Sequence, residues 1–189
     1  MKKILTLSLC LIVLLSAFSI PTSSAQGTKP QDILQKKYPN ESIKILKTAD
    51  INADKKYESV ALTKSGNLYF INSKGSVVLI NTGILSDEDY GEAESIQIYS
   101  VSNKEKHIAV TYSYFPSNTQ LYVYRLQDGT LKKVLQLMGD QGVKIDSKGR
   151  VHQYWKKYRN EGGWDLAEGI LTWNAKTNKY KGSGSYILQ

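Results

Sequence analysis

Oxygen-bearing side chains recur at short intervals in one stretch of the chain, D-I-N-A-D-K-K-Y-E. They belong to Asp50, Asn52, Asp54 and Glu58. This alternating spacing lets a single loop turn its carboxylate and amide oxygens toward one hard cation, for which calcium is the usual occupant. The stretch therefore predicts a calcium loop. The alternative is a solvated turn in which the Asp and Asn side chains bond their own backbone.

Segments with the pattern of β-strands flank this loop and continue along the chain. Short runs rich in β-branched and aromatic residues alternate with turns such as Ser73-Lys74-Gly75. Residues 30–38 instead fit one short amphipathic helix, which Pro39 ends. The predicted strands cover 42–48, 59–64, 67–72, 77–81, 95–101, 107–114, 119–126, 132–137, 142–146, 150–158, 166–173 and 179–188.

Three segments of the chain resemble one another in their strand patterns. Ser42-Ile-Lys-Ile45 matches Ser95-Ile-Gln-Ile98, and a third, degenerate copy begins near Val143. Repeats near this length, with four strands each, are typical of propeller blades. We therefore predict a mostly β fold of repeated four-stranded antiparallel meanders with a short N-terminal helix. The meanders would form a partial propeller or a curled sandwich.

The first 25 residues have the three parts of a secretory signal peptide. Lys2 and Lys3 form a basic start, residues 4–20 are mostly apolar, and small residues precede a cleavage position near Ala25. The apolar stretch falls just short of the ~20 residues that span a bilayer, so we expect no membrane span after signal removal. The only cysteine, Cys10, lies in this stretch. We predict a secreted protein, extracellular or wall-associated, without disulfides.

The chain is thus expected to have three parts. Residues 1–25 are the signal peptide, and residues 26–40 are a leader that contains the short helix. Residues 41–189 form a single β-repeat domain. Its repeats are expected at about 42–83, 95–138 and 142–189.

Residues 49–62, A-D-I-N-A-D-K-K-Y-E-S-V-A-L, resemble the calcium loop of integrin-type FG-GAP (VCBS-like) repeats. In that family the loop D-x-N-x-D-G-x-x-D joins the first two strands of a propeller blade. The resemblance implies a loop of the same kind here, between the first two predicted strands. The calcium ligands that it implies are the side chains of Asp50, Asn52, Asp54 and Glu58 and the backbone carbonyl of Lys56.

Two positions depart from the family pattern. Lys55 stands where the family has Gly, at a sharp turn that favours Gly, and Glu58 stands where it has Asp. The resemblance covers residues 42 to about 80. The corresponding loop of the second copy, at 102–105, is shorter and lacks the ligand series. The sequence therefore predicts a single ion site, with a structural role.

The charge of the chain suggests a class of partner. The formal charge is +8, and removal of the signal peptide with its two lysines leaves +6. In a secreted protein such a balance suggests contact with an anionic cell-wall polymer, although it also serves solubility. Another secreted protein is the alternative partner. The lysines are scattered rather than clustered, which argues against nucleic acid.

Aromatic residues are concentrated on a few predicted strands. Tyr112 and Tyr114 share one face of a strand, and Tyr122 and Tyr124 share one face of the next. If these strands pair, the four tyrosines form a ladder. Exposed aromatic rings bind sugars and peptides by stacking, so this ladder and Trp155 are candidates for a binding surface. Core packing and cross-strand pairing are the alternative explanation.

Signals for catalysis are few. The histidines, His107 and His152, form no metalloprotease-like pair, and no phosphate loop or dinucleotide fingerprint occurs. Asp165 and Glu168, near Trp164, are the best candidates for a glycosidase pair. We therefore favour a secreted, non-enzymatic binding or structural protein with a structural calcium ion. The alternatives are a secreted polysaccharide or cell-wall hydrolase, and an inhibitor or accessory subunit of a secreted enzyme.

Overall fold

A computed structural model of the chain describes residues 28–87, 89 and 91–184. These residues form one α-helix and twelve β-strands, and the strands make three sheets of four. Every sheet is an antiparallel meander in which strands consecutive in sequence are paired. The predicted fold class, mostly β with repeated four-stranded meanders and a short helix, is confirmed. The predicted signal peptide lies outside the described residues.

The helix and the first sheet come first in the chain. Helix α1 (Pro30–Lys37) starts at a proline, whose missing N–H would have no helical partner in the first turn. Sheet 1 consists of β1 (Ile43–Ala49), β2 (Glu58–Thr63), β3 (Leu68–Ile71) and β4 (Val77–Asn81). Strands β2 and β3 are buried along their whole length because both faces of the sheet are covered.

The other two sheets have longer strands. Sheet 2 consists of β5 (Ser95–Ser102), β6 (Glu105–Tyr114), β7 (Asn118–Gln127) and β8 (Thr130–Gly139). Sheet 3 consists of β9 (Val143–Ile145), β10 (Val151–Tyr158), β11 (Trp164–Asn174) and β12 (Lys179–Gly184). Gly129, in the turn between β7 and β8, and Gly149, in the turn between β9 and β10, both have a φ of 73°, a conformation that favours glycine.

Helix α1 and the three sheets are stacked in chain order. Neighbouring residues of a strand point to opposite faces of its sheet. On β2, Ala61 therefore packs with Leu34 of α1, while Val60 packs against sheet 2. On β6, Ile108 packs against sheet 1 and Ala109 packs against sheet 3. Sheet 2 is thus the middle layer and contributes to both cores between sheets.

Sheet 3 has one packed face and one outer face. Val151 and Leu171, which are paired across β10 and β11, pack in the core against sheet 2. The residues between them in sequence point the other way, away from sheet 2. We call this side the outer face of sheet 3. Its hairpin end carries three exposed side chains, those of Tyr158, Trp164 and Leu166.

Candidate functional site

The loop predicted to bind an ion joins β1 to β2, as the resemblance implied. Ile51, only 1% exposed, anchors it in the core between sheets 1 and 2. Lys106, at the start of β6, donates its backbone N–H to the carbonyl of Ile51 at 3.0 Å. The ammonium of Lys106 also donates to the carbonyl of Asp50 at 2.9 Å. The loop therefore connects the first sheet to the second.

The acidic side chains of the loop turn inward onto its own backbone. Asp50 accepts the N–H of Asp54 at 3.1 Å and that of Lys55 at 3.0 Å, one on each carboxylate oxygen. Asn52 Oδ1 accepts the N–H of Asp54 at 3.3 Å, and Asp54 Oδ1 accepts that of Lys56 at 2.9 Å. This is the bonding expected of the solvated turn that was the alternative to an ion loop.

Two residues of the loop have a left-handed backbone conformation. Ala53 has a φ of 60° and Lys55 a φ of 65°. Lys55 occupies the position at which the FG-GAP pattern has glycine. The tight turn is therefore present with a lysine in it, at a cost of about 1–2 kcal/mol relative to glycine.

Glu58 closes the loop from the first residue of β2. Its side chain is 3% exposed, and Oε2 accepts the backbone N–H of Ile51 at 3.3 Å. Burial raises the pKa of Glu58, and the nearby charges of Asp54 and Asp50 raise it further, against the opposing effect of the Ile51 N–H. A cation bound between these carboxylates would relieve the same repulsion.

The loop thus has the composition of a calcium site, but its side-chain oxygens are hydrogen-bonded to backbone N–H groups of the loop itself. Among the described residues, no group of three or more His, Cys, Asp or Glu side chains could hold a metal ion as they are placed. An ion at this loop would need the carboxylates to exchange some of their N–H bonds for the cation.

The first turns of the three sheets meet beside this loop. They line a groove of about 340 Å³, to which the ion loop, the β5–β6 turn and the β9–β10 turn all contribute. Lys104, Lys106 and Lys148 belong to its lining. Basic side chains therefore surround the acidic loop at this end of the stack.

The predicted tyrosine ladder is present on the face of sheet 2 that points to sheet 1. The ring centroid of Tyr112 lies 6.0 Å from that of Tyr114 and 6.1 Å from that of Tyr122. Tyr122 and Tyr124 are 6.4 Å apart. Tyr124 is buried and accepts a hydrogen bond from Asn81 Nδ2 at 2.8 Å. Burial raises the pKa of Tyr124 to about 12. One end of the ladder is therefore core.

Trp155 does not join this ladder. It shares a face of β10 with Val151 and Gln153, both buried against sheet 2. Its indole nitrogen is buried with no hydrogen-bond partner. The middle sheet separates Trp155 from the tyrosines, so the five predicted residues do not form one surface.

The outer face of sheet 3 holds the exposed aromatic rings. Tyr158 is 72% exposed and Trp164 is 42% exposed, and the two residues are directly paired at the hairpin end. The next pair is Lys156 with Leu166, and the ammonium of Lys156 lies 5.7 Å from the Trp164 ring centroid. The sequence signal for this face was the alternation of His152, Tyr154 and Lys156 on one predicted strand.

A charged network continues along the same face. His152 lies between two carboxylates, with Nδ1 at 2.7 Å from Glu168 and Nε2 at 3.1 Å from Asp146. Arg150 donates through Nε to Asp146 at 2.7 Å. Hydrogen bonds from Arg150 and His152 hold the pKa of Asp146 well below its usual range, and His152 lowers that of Glu168. Both imidazole nitrogens are thus already paired.

The suggested glycosidase pair is not assembled. Asp165 and Glu168 lie three residues apart on β11, so strand alternation places them on opposite faces. Asp165 is 3.7 Å from Arg159, while Glu168 bonds His152.

His107 lies in a buried polar cluster between sheets 2 and 3. Its side chain is fully buried, with Nδ1 2.8 Å from the Tyr180 hydroxyl and Nε2 3.3 Å from Glu105. Tyr180 also bonds the hydroxyl of Tyr99 at 2.7 Å, and the Trp173 ring centroid lies 4.6 Å from that of His107. Burial lowers the pKa of His107. This histidine therefore has a structural environment.

A polar groove of about 560 Å³ also opens between sheets 2 and 3. Half of its lining residues carry hydroxyl or amide side chains, including Thr111, Thr119 and Gln97. Sequence reasoning missed this groove because its walls come from separate repeats.

Comparison with known proteins identifies no relative of this chain. No family model, no curated protein and no solved structure matches the chain. Among the described residues, no helix has the length and apolar character that crossing a membrane requires.

Proposed function

We propose that the chain is a secreted, non-enzymatic binding protein that contacts an anionic cell-wall polymer and uses calcium as a structural ion. The observation that carries the binding role is the combination of exposed aromatic rings and positive charge on sheet 3. Residues 142–184 contain nine Lys and Arg against four Asp and Glu, a net charge of +5. Sheet 3 is therefore the most positive of the three sheets, since residues 43–81 and 95–139 each carry +3.

The charge is unevenly distributed along the stack. Residues 82–141, which include sheet 2, contain five Lys and Arg against eight Asp and Glu. The acidic residues are concentrated in the linker before β5, where residues 82–94 contain five Asp and Glu and no Lys or Arg. Residues 95–139, which form sheet 2, contain five Lys and Arg against two Asp and Glu. The positive charge of sheet 3 attracts a polyanion.

The proposed role of calcium rests on Glu58 and its acidic neighbours. The carboxylate is buried beside Asp50 and Asp54, and its raised pKa reflects the cost of keeping it ionised there. A cation would offset that cost and hold the corner between β1 and β2. The loop is anchored to β6 through Lys106, so the same ion would also stiffen the contact between sheets 1 and 2.

The binding role is tested by co-sedimentation of the purified protein with isolated cell walls. We expect the protein to pellet with walls that retain their anionic polymers and to be released as salt is raised, because salt screens the attraction. Walls from which the anionic polymers have been extracted serve as the control. Recovery of the protein in the supernatant with every wall preparation at low salt would refute the proposal.

A further inference from the structure

We propose that the hairpin end of sheet 3 is a binding platform for a glycan chain that carries anionic groups. The platform consists of Tyr154, Lys156, Tyr158, Trp164, Leu166 and Glu168 on the outer face. This inference rests on the proposed binding function and assigns it to a place and a ligand chemistry.

The register of β10 and β11 makes these six residues neighbours. Tyr158 is paired with Trp164, Lys156 with Leu166, and Tyr154 with Glu168. Directly paired side chains on one face of an antiparallel sheet are about 4.5–5.5 Å apart at Cβ. The six side chains therefore form three adjacent rows along the sheet, with the aromatic pair at the hairpin end.

The rows offer the two kinds of contact that a sugar chain uses. The rings of Tyr158 and Trp164 are exposed, and such rings stack on the apolar faces of sugars. Tyr154 and Glu168 stand two rows away with hydroxyl and carboxylate groups that bond sugar hydroxyls. Glu168 is directly paired with Tyr154, and its bond to His152 Nδ1 at 2.7 Å orients the carboxylate.

Positive charge surrounds the aromatic pair and favours an anionic chain. Lys156 lies on the outer face against the Trp164 ring, next to the aromatic pair. Lys144 lies on the outer face beside His152, at the far end of the platform. An acidic sugar or a phosphate-bearing polymer would meet cations at both ends.

The carboxylates argue for a glycan over the two other polyanions. Glu168 and Asp146 lie on the outer face and would repel the closely spaced phosphates of nucleic acid or of a lipid surface. A membrane would also need more exposed apolar area than Leu166 and two aromatic rings supply. A chain of sugars, with neutral hydroxyls between its charges, tolerates isolated carboxylates.

The test compares binding of defined probes to the full protein and to matched variants. Polygalacturonate is the anionic glycan, dextran the neutral one, and phosphatidylglycerol vesicles and an oligonucleotide represent the other polyanions. The site variant is Tyr158→Ala with Trp164→Ala, both at exposed positions. The control is Tyr57→Ala, which removes an exposed aromatic ring (67% exposed) outside the platform, in the ion loop.

We expect polygalacturonate to bind the wild type and Tyr57→Ala alike, and the double variant about tenfold more weakly. Lys156→Gln should weaken binding and reduce its salt dependence, whereas Lys47→Gln on β1 should do neither. Melting temperatures close to the wild type verify that the variants fold. Dextran should bind more weakly than polygalacturonate to the wild type.

If the wild type and the double variant bind polygalacturonate with equal affinity, the proposed platform is refuted. The proposed wall-binding function would remain intact in that case. A second outcome would also overturn the inference. If the wild type does not bind polygalacturonate but binds vesicles or the oligonucleotide, and the double variant loses that binding, the surface belongs to another polyanion. Absence of wall binding by the wild type would instead refute the proposed function itself.

Discussion

The imidazole of His107 and the hydroxyl of Tyr180 lie 2.8 Å apart across the boundary between sheets 2 and 3. The histidine belongs to β6 and the tyrosine to β12, so this bond joins the middle sheet to the last strand of the stack. Glu105 and Arg125 approach the same ring from sheet 2, and Trp173 covers it from sheet 3. The contact between the sheets therefore includes a titratable group.

Acid should weaken this boundary. Burial lowers the pKa of His107 below its ordinary value of about 6.5, so the unfolded chain takes up the proton first. The stability that neutral His107 provides is complete above about pH 6.5 and is lost as the pH falls toward the folded-state pKa. His107→Gln should flatten the dependence of melting temperature on pH in this range. Matching pH profiles for the two proteins would contradict the assignment.

The buried carboxylate of Glu58 should have the opposite effect on stability. Its raised pKa means that the ionised form is a cost to the folded state above about pH 4.5, in the absence of a cation. Glu58→Gln should therefore raise the melting temperature in chelator at neutral pH, and the difference should shrink as the pH falls toward 4.5. Urea denaturation at both pH values measures this. A less stable variant at neutral pH would show that the carboxylate is well compensated.

Calcium should stabilise the wild type through the same loop. At a concentration about 100-fold above its Kd, the ion would contribute about 2.7 kcal/mol and raise the melting temperature by about 5–10 °C. Asp54→Ala should abolish this shift. Asp128→Ala, at an exposed turn of sheet 2, is the control and should keep it. Identical melting of the wild type in calcium and in chelator would remove the ion from the proposal.

Two glycines with the same backbone conformation should respond differently to substitution. Gly129 and Gly149 both have a φ of 73°, but a Cβ on Gly129 meets nothing within 4 Å. A Cβ on Gly149 would lie 2.3 Å from the carbonyl oxygen of Ser100. Gly129→Ala should cost about 1–2 kcal/mol of unfolding free energy, the price of the left-handed conformation. Gly149→Ala should cost at least about 1 kcal/mol more because β5 must shift, as denaturant titration would reveal.

Local patterns were enough to predict the strands and the helix. Alternation marks β10, Gly75 and Gly149 mark turns, and Pro30 marks the start of α1. These signals lie within a few residues of one another, and every strand pairs with its sequence neighbour. The three four-stranded meanders could therefore be inferred without knowledge of distant contacts.

The sites depend on contacts that sequence patterns do not contain. Alternation separates Trp155 from Tyr154 but does not say which face meets sheet 2. The bond between Tyr99 and Tyr180 joins residues 81 apart in sequence, and nothing local signals it. Within the ion loop, spacing identified the acidic residues, whereas their hydrogen bonds to Lys55 and Lys56 depend on the loop conformation.

The middle position of sheet 2 sets an order for unfolding. Sheet 1 can separate from sheet 2 while the core on the other side stays closed, and sheet 3 can do the same. Sheet 2 cannot open first, since its loss breaks both inter-sheet cores together. Because pairing within each sheet is local in sequence, a detached outer sheet also closes short loops when it reforms. We therefore expect the stack to open from either end, with sheet 2 as the last layer to unfold.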